Sequence, residues 1–429
     1  MSSHPWTAHY EEGVPATVEI PEVPLRQILA DAAAQYPEQI ALNMTLRYLP
    51  LGIKIRSRLT YRQLEEESNR FAAGLAQLGV QKGDRVAVML PNLPQSVVAF
   101  FGVLKAGAIV VNTNPTYTPR ELEHQLHDSG AETIIMLSGL YDRLQQIRAK
   151  TNVKRVIITD ISATLAWPFS WLVARQMRQR GMMASLATAP DLYRYGDLVN
   201  SQAPLPNMES TPNDVALFQY TGGTTGKPKA AMLTNRNLLG NVKQVGAWFS
   251  KAVPGQEKVL AAIPFFHVYG MTVAMLFAVD HGAEMVIMPD PRDIEMVMQI
   301  IEREQITIYP GVPAMYIAIN NHSKVGQHNL RSIKSCFSGA SSLPVHVATK
   351  FEELTGGRLA EGYGLTECSP VVTGNPLFGE RRVGTIGVPM PNTEVAVVSL
   401  TPDEQDNYAM LEQGEEGELV VRGPQVMKG

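Results

Sequence analysis

The chain has 429 residues, of which 45% are hydrophobic and 18% are charged, and its formal net charge is −4. That length exceeds one ordinary hydrophobic core and predicts two or three sub-domains. The absence of a basic excess argues against nucleic-acid binding, which depends on counterion release by cationic side chains. Two cysteines, Cys336 and Cys368, cannot build a disulfide framework and indicate a reducing, cytoplasmic setting.

Helix and strand signals alternate along the first part of the chain, which predicts an α/β fold. Thr60 and Gln63 are spaced as a capping box at the start of a helix that Gly79 ends. Thr118 and Pro119 begin a second helix in the same way. Buried strands are predicted at 85–90, 133–137 and 155–159.

A polar, proline-rich stretch at 202–207 predicts a sub-domain boundary. A second α/β region follows, and the sequence becomes turn-rich and β-like from Arg382. Further apolar strands are predicted at 259–263, 284–288, 306–309 and 333–337. The predicted units are 1–205, 206–378 and 379–429.

Residues 220–229 read Tyr-Thr-Gly-Gly-Thr-Thr-Gly-Lys-Pro-Lys and predict a phosphate-binding loop. Glycines let the backbone approach an anion, hydroxyls donate hydrogen bonds, and lysines add positive charge. The loop is not a Walker A motif, because its glycine spacing is one residue short and Pro228 follows the lysine. The alternative is a Gly/Thr turn with solvated lysines. The predicted phosphate ligands are Thr221, Gly222, Gly223, Thr224, Thr225, Gly226 and Lys229.

This loop resembles the signature of the adenylate-forming superfamily, which includes acyl-CoA synthetases, peptide-synthetase adenylation domains and luciferases. Residues 361–367, Glu-Gly-Tyr-Gly-Leu-Thr-Glu, resemble the second signature of that superfamily. Tyr363 offers a π face for adenine, and Gly364 keeps the backbone close to the nucleotide. Thr366 can donate to the α-phosphate, and Glu367 is a suitable Mg²⁺ ligand. We therefore predict an ATP site that also includes Glu361, Gly362, Gly339 and Ala340, with Mg²⁺ held by Thr225 and Glu367.

The acyl end of the predicted site rests mainly on the resemblance. A lone histidine among apolar residues is more often part of the core, but the resemblance implies that His267 faces the acyl carboxylate. Met271 stands where some long-chain members have a tryptophan that controls the acyl tunnel, and Gly339 lines the same channel. The predicted acyl ligands are His267, Met271 and Gly339, and the predicted catalytic residues are His267, Thr366, Glu367 and Lys229.

The motifs together are most similar to medium- and long-chain fatty acyl-CoA synthetases. The resemblance implies two α/β sub-domains and a distorted β-barrel, and a reaction in which ATP, with Mg²⁺, activates a fatty acid to acyl-adenylate before transfer to CoA. Members of the family continue into a C-terminal lid domain with a catalytic lysine, so we expect this chain to lack that domain and to be impaired. Adenylation of an aryl or amino acid, or silent nucleotide or acyl binding, are the alternatives.

Two further stretches carry weaker signals. Residues 104–115 resemble a structural motif of the family, and we interpret them as packing. Residues 165–183 place tryptophans beside arginines, which suits either peripheral contact with an anionic membrane or an amphipathic insertion with a solvated arginine face. The sequence leaves acyl chain length open, and also the oligomeric state, for which a homodimer is one option.

Overall fold

The computed structural model describes residues 4–222, 227–403, 405 and 407–429. The described residues form alternating helices and strands, which confirms the α/β prediction. The strands are β1 Ile40–Tyr48, β2 Lys54–Thr60, β3 Arg85–Met89, β4 Ile109–Asn112, β5 Thr133–Leu137, β6 Arg155–Thr159, β7 Leu192–Arg194, β8 Val215–Thr221, β9 Lys229–Thr234, β10 Lys258–Ala261, β11 Glu284–Ile287, β12 Ile308–Gly311, β13 Ser335–Ser338, β14 Arg358–Gly364, β15 Val371–Gly374, β16 Val388–Pro389, β17 Glu394–Val398 and β18 Glu418–Arg422.

The predicted helix starts are confirmed by their caps. Thr60 and Gln63 form a reciprocal capping box, and so do Thr118 and Glu121. The α-helices are α1 Gln27–Gln35, α2 Tyr61–Gln77, α3 Pro94–Lys105, α4 Pro119–Ser129, α5 Tyr141–Gln145, α6 Phe169–Gln179, α7 Tyr195–Val199, α8 Asn235–Trp248, α9 Phe277–Asp280, α10 Ile294–Glu304, α11 Pro313–Asn320 and α12 Val345–Thr355. A π-helical segment, Gly270–Leu276, leads directly into α9.

Seven strands form the first sheet, in the order β7-β6-β5-β3-β4-β8-β9. All neighbours pair in parallel except β8 and β9, which are antiparallel. The carboxyl ends of β6, β5, β3, β4 and β8 therefore lie at one edge of this sheet. Ligands of open α/β sheets bind at that edge.

The second sheet has the strand order β16-β15-β14-β13-β12-β10-β11-β1-β2. Its centre, from β14 to β1, is parallel, and antiparallel pairs close both ends. Side chains from both sheets and from α3 share one hydrophobic cluster, which includes Val86, Phe101, Leu217, Val259 and Met285. Because the two sheets pack through a common core, their carboxyl edges are held in fixed relation.

The sheets cross the predicted boundary between 1–205 and 206–378 in both directions. Strands β1 and β2 belong to the second sheet, whereas β8 and β9 belong to the first. Within 379–429, β17 and β18 form a separate antiparallel pair. The three spans and the distorted barrel therefore stay predictions about organisation. Among the described helices, none is long and apolar enough to cross a membrane.

Strand positions agree with the sequence pattern except at their ends. Strands β5 and β6 coincide with the predicted ranges. The strand predicted at 306–309 is observed as β12, which begins and ends two residues later. The strand predicted at 333–337 is observed as β13, Ser335–Ser338, and overlaps the predicted range in part. Apolar patterns locate a buried strand, but hydrogen bonding to the neighbouring strand determines where it begins.

Candidate functional site

A cavity of about 500 Å³ lies where the carboxyl edges of the two sheets meet. The ends of β4, β8, β13 and β14 all reach it. Its wall contains ten of the predicted site residues: Thr221, Gly222, His267, Gly339, Ala340, Gly362, Tyr363, Gly364, Thr366 and Glu367. Four separate stretches of sequence are thus brought to one cavity by the topology of the sheets.

The predicted phosphate loop is only partly described. Thr221 and Gly222 lie in the cavity wall, and Thr221 pairs across the β8–β9 hairpin with Lys229. Lys229 is exposed and does not line the cavity. The predictions for Gly223, Thr224, Thr225 and Gly226 lie outside the described residues. The loop therefore joins the cavity at its described amino-terminal end.

Tyr363 and its two glycine neighbours form a tight corner at the end of β14. The antiparallel pairing of β14 with β15 is irregular between Tyr363 and Gly364. A Cβ on Gly364 would collide with the backbone carbonyl of Pro370, and one on Gly362 would collide with the ring of Phe337. Only glycine fits at these two positions, so the backbone approaches the cavity without side chains in the way.

Thr366 and Glu367 begin a short 3₁₀ turn, Thr366–Cys368, that follows this corner. The residue after the turn, Ser369, adopts a left-handed backbone (φ 69°). Its hydroxyl donates to the backbone carbonyl of Gln425 at 2.9 Å, which holds the turn in place. No described residue donates a hydrogen bond to the Glu367 carboxylate, although Glu367 lines the cavity. An oxygen donor set of Glu367 beside Thr366 suits Mg²⁺, which takes one or two carboxylates and keeps waters.

His267 lies on the opposite side of the cavity, on the loop between β10 and the π-helical segment. The ring opens onto the cavity, and the surrounding protein lowers the pKa of His267 by desolvation. The amide of Tyr269 donates to Nδ1 at 3.3 Å. That contact favours the neutral tautomer with its proton on Nε2, which leaves an N–H for a ligand.

Buried amides hold the histidine loop in place. Asn92 donates to the carbonyls of Ala261 and Ile263 at 3.0 and 2.8 Å and accepts from the amide of Phe265. Gln219 on β8 donates to the carbonyl of Phe266 at 3.0 Å. These bonds satisfy loop backbone groups that would otherwise be buried unpaired, so the loop, which continues from β10 of the second sheet, is tied to the first sheet.

Gly339 and Ala340 close the floor between the histidine and tyrosine sides. A Cβ on Gly339 would come within 3.1 Å of the Tyr269 ring, and Ala340 adopts a left-handed backbone with φ 70°. The Tyr269 hydroxyl donates to the carbonyl of Phe337 at 2.6 Å, just before this segment. The backbone after β13 is therefore pressed against an immobilised aromatic ring.

Two predicted residues lie behind the cavity wall instead of in it. Met271 is fully buried, and its Sδ accepts from Asn112 Nδ2 at 3.5 Å. The Glu361 carboxylate accepts from the amide of Leu343 at 3.2 Å, and burial raises its pKa. Neither side chain reaches the cavity in this arrangement.

Several residues of the cavity wall are not among the predicted site residues. Asn112 and Asn114 belong to the stretch interpreted as packing, yet both line the cavity. The other missed residues are Tyr117, Gln219, Tyr220, Phe266, Val268, Tyr269, Phe337, Leu365, Pro370 and Val371. A usable signal existed for the two asparagines, because polar residues directly after a buried parallel strand lie at the ligand-binding edge. The aromatic residues gave no such signal.

The chain resembles known proteins over nearly all of its length. Residues 29–429 match the AMP-binding enzyme family. The chain is 38% identical to a long-chain-fatty-acid–CoA ligase of Bacillus subtilis (strain 168), over 100% of this chain and 74% of that protein. A protein of the same name from Escherichia coli O157:H7 is 38% identical, over 99% of this chain and 74% of its own length. A crystal structure of a long-chain-fatty-acid-CoA ligase from Archaeoglobus fulgidus has a TM-score of 0.79 at 27% identity, covering 98% of this chain and 78% of that one.

These matches confirm the resemblance drawn from the motifs and the predicted fold class. Both bacterial relatives and the archaeal structure carry the name of a fatty acid–CoA ligase. The chain therefore belongs to the AMP-binding enzyme family.

Proposed function

We propose that the chain activates a fatty acid with ATP and transfers the acyl group to CoA. A carboxylate oxygen attacks the α-phosphorus of ATP, the bond to pyrophosphate breaks, and acyl-adenylate forms. The thiolate of CoA then attacks the acyl carbonyl, and AMP leaves with the electrons of the broken C–O bond. The observation that carries the proposal is the single cavity that joins the Tyr363–Glu367 side to His267.

The tyrosine side would hold the nucleotide. Adenine would stack on Tyr363, and Gly362 and Gly364 would let the backbone approach it. Thr366 and Thr221 would donate to phosphate oxygens from the two sides of the cavity. Glu367 would hold Mg²⁺, whose charge would offset that of the phosphates. These groups position and neutralise the reactants, which is how phosphoryl chemistry is mainly accelerated.

The histidine side would hold the acyl group. A neutral His267 with its proton on Nε2 would donate to the carboxylate or to the acyl oxygen. Gln219 and Asn92 hold the loop, so this donor is oriented before the substrate arrives. A long acyl chain would need space behind the wall, where Met271 is packed against Asn112. Met271 would therefore have to change rotamer for a long chain to enter, while a short acid would not require this.

Exchange of labelled pyrophosphate into ATP tests the first half-reaction directly. We expect exchange that depends on a fatty acid, with affinity rising with chain length because each buried methylene contributes about 0.8 kcal/mol. A panel of acids of increasing length, with benzoate and an amino acid as matched alternatives, distinguishes the substrate classes. Equal affinity along the fatty-acid series would refute a fatty-acid site, and exchange with benzoate alone would favour the aryl-acid alternative.

Absence of exchange together with measurable ATP binding would favour the silent binding protein. That a polypeptide of these 429 residues forms acyl-CoA poorly stays a prediction. Measuring pyrophosphate exchange and thioester formation on the same preparation tests it, because the two half-reactions are read separately.

A further inference from the structure

The segment between β6 and β7 exposes an unusual amount of apolar surface. Trp167 exposes 83% of its surface and Trp171 exposes 54%, whereas Trp248 is 2% exposed. Leu172 and Met182 are exposed by 47% and 51%. Single exposed apolar side chains are normal, but clusters of them mark contact surfaces. We define the exposed patch as Trp167, Trp171, Leu172, Arg175, Arg178, Arg180 and Met182.

The geometry of α6 places three of these side chains on one exposed face. Ala174 is the one residue of α6 that is fully buried, so the helix lies on the surface of the protein. Trp171, Arg175 and Arg178 follow one another at helical spacing and share a face. The Arg175 guanidinium lies 5.7 Å from the centre of the Trp171 ring. Aromatic anchors thus lie at one end of the patch, and cations lie at the other.

The charge of this segment is all positive. Residues 161–190 contain three arginines and no aspartate, glutamate or lysine. The two acids that flank the segment already have partners: Asp160 accepts from the Ser138 hydroxyl at 2.6 Å, and Asp191 pairs with Arg148. No described acid lies within ion-pair distance of the patch arginines. Asp160 is nevertheless near enough to Arg178 for the arginine's charge to act on the carboxylate and counter the rise in pKa that burial causes. The segment therefore carries a net positive charge that is only partly offset by its surroundings.

A helix C-terminus attracts arginines without any partner, because they complement the helix dipole. That effect accounts for Arg178, which lies in the last turn of α6. It does not account for two tryptophans and a leucine at the other end of the helix, since their exposure to water costs hydrophobic free energy. A partner that binds the exposed patch must therefore cover its apolar side chains and also provide negative charge for its arginines.

The patch is anchored at the same sheet edge as the cavity. Ser138 follows β5, Asp160 follows β6, and the amide of Ala184 donates to the Ser138 hydroxyl at 3.0 Å. Strands β6 and β8 are four positions apart in the first sheet, which places the anchor roughly 20 Å from the end of β8. A surface that docked on the patch would lie near the cavity.

We propose that the exposed patch docks this chain on an anionic lipid bilayer. Trp167, Trp171 and Leu172 enter the interface between headgroups and acyl chains, where amphipathic aromatic rings are favoured. Arg175, Arg178 and Arg180 contact anionic headgroups. Neither the nucleotide site nor the identity of the acid enters this inference, so it stands apart from the proposed function.

Sedimentation with vesicles tests the proposal without ATP or fatty acid. We expect binding to mixed phosphatidylglycerol–phosphatidylcholine vesicles, weakening with salt, and much weaker binding to pure phosphatidylcholine vesicles. Each arginine at an anionic surface strengthens binding about five-fold. The triple variant Arg175→Gln/Arg178→Gln/Arg180→Gln should therefore bind the anionic vesicles on the order of 100-fold more weakly. The double variant Trp167→Ser/Trp171→Ser should bind the same vesicles about tenfold or more weakly.

Matched variants elsewhere on the surface control for net charge and apolar content. Arg292→Gln/Arg331→Gln/Arg358→Gln removes the same charge from exposed positions, and Leu51→Ser/Met410→Ser removes exposed apolar side chains. Both controls should bind vesicles like the parent chain. Circular dichroism and unchanged ATP binding establish that the patch variants are folded.

Three results would overturn the proposal. One is equal binding of the parent chain to anionic and neutral vesicles, or no binding to either. Another is an equal loss of binding in the patch variants and in the matched controls. The third is an oligomer that dissociates in the patch variants in the absence of vesicles, since the patch would then be a contact between copies of this chain.

Discussion

Removing the Tyr363 ring should weaken nucleotide binding without unfolding the protein. Tyr363 lies at the end of β14, where it is half-buried and lines the cavity. Its backbone pairs with Thr373 on β15, so Tyr363→Ala leaves the strand pairing intact. Burial raises the pKa of the phenol, with Cys368 and Glu367 adding to the shift, so the ring stays neutral at physiological pH. Any loss therefore reports stacking and not charge.

The expected loss of binding free energy is that of one stacked base. A base stacked on an aromatic side chain contributes about 1–3 kcal/mol, which corresponds to roughly 5- to 150-fold in Kd. Since Tyr363 is the one aromatic residue of the 361–367 motif, we expect one stacked base and no larger effect. Tyr363→Phe is the matched control, because it keeps the ring and should change the binding free energy by less than about 0.5 kcal/mol.

Isothermal titration calorimetry with ATP measures both variants, and thermal unfolding checks that each is folded. An unchanged Kd in folded Tyr363→Ala would remove Tyr363 from the nucleotide site. An equal loss in Tyr363→Ala and Tyr363→Phe would also refute the stacking argument, because the hydroxyl would then carry the interaction.

Three further predictions concern the other parts of the site. Desolvation by the surrounding protein lowers the pKa of His267 from its usual range, which favours the neutral ring, so pyrophosphate exchange should be lost only as pH falls through that lowered pKa. Exchange by His267→Gln should be slower and should lack this loss at acid pH. An unaltered pH profile in His267→Gln would exclude His267. Glu367→Gln should raise the Mg²⁺ concentration for half-maximal exchange by about tenfold or more, and an unchanged magnesium titration would contradict a metal role. Gly364→Ala should lower the free energy of unfolding, measured with urea, by about 1–3 kcal/mol, because the added Cβ meets the backbone of Pro370. The matched control Gly326→Ala should leave this free energy unchanged, because nothing lies within 4 Å of the added Cβ.

Local sequence signals succeeded where the chemistry is local. The capping boxes at Thr60 and Thr118 need only residues three positions apart, and both are present. Strands β5 and β6 were located because a short apolar run between polar turns has few other stable environments. The glycines of the 361–367 motif were recognised for their small size, and the collisions that a Cβ would cause at Gly362 and Gly364 supply the reason.

The sequence by itself thus determined the fold class, the family and fewer than half of the residues that line the cavity. Tertiary structure decided which sheet each strand joins: β1 and β2 pair with the second sheet, far along the chain, because pairing depends on contacts that no local pattern encodes. It also decided that Asn112 faces the cavity while Met271 lies behind it, packed on that asparagine. Helical and strand periodicity gives the face of an element, but only the packing of two sheets against each other determines what that face meets.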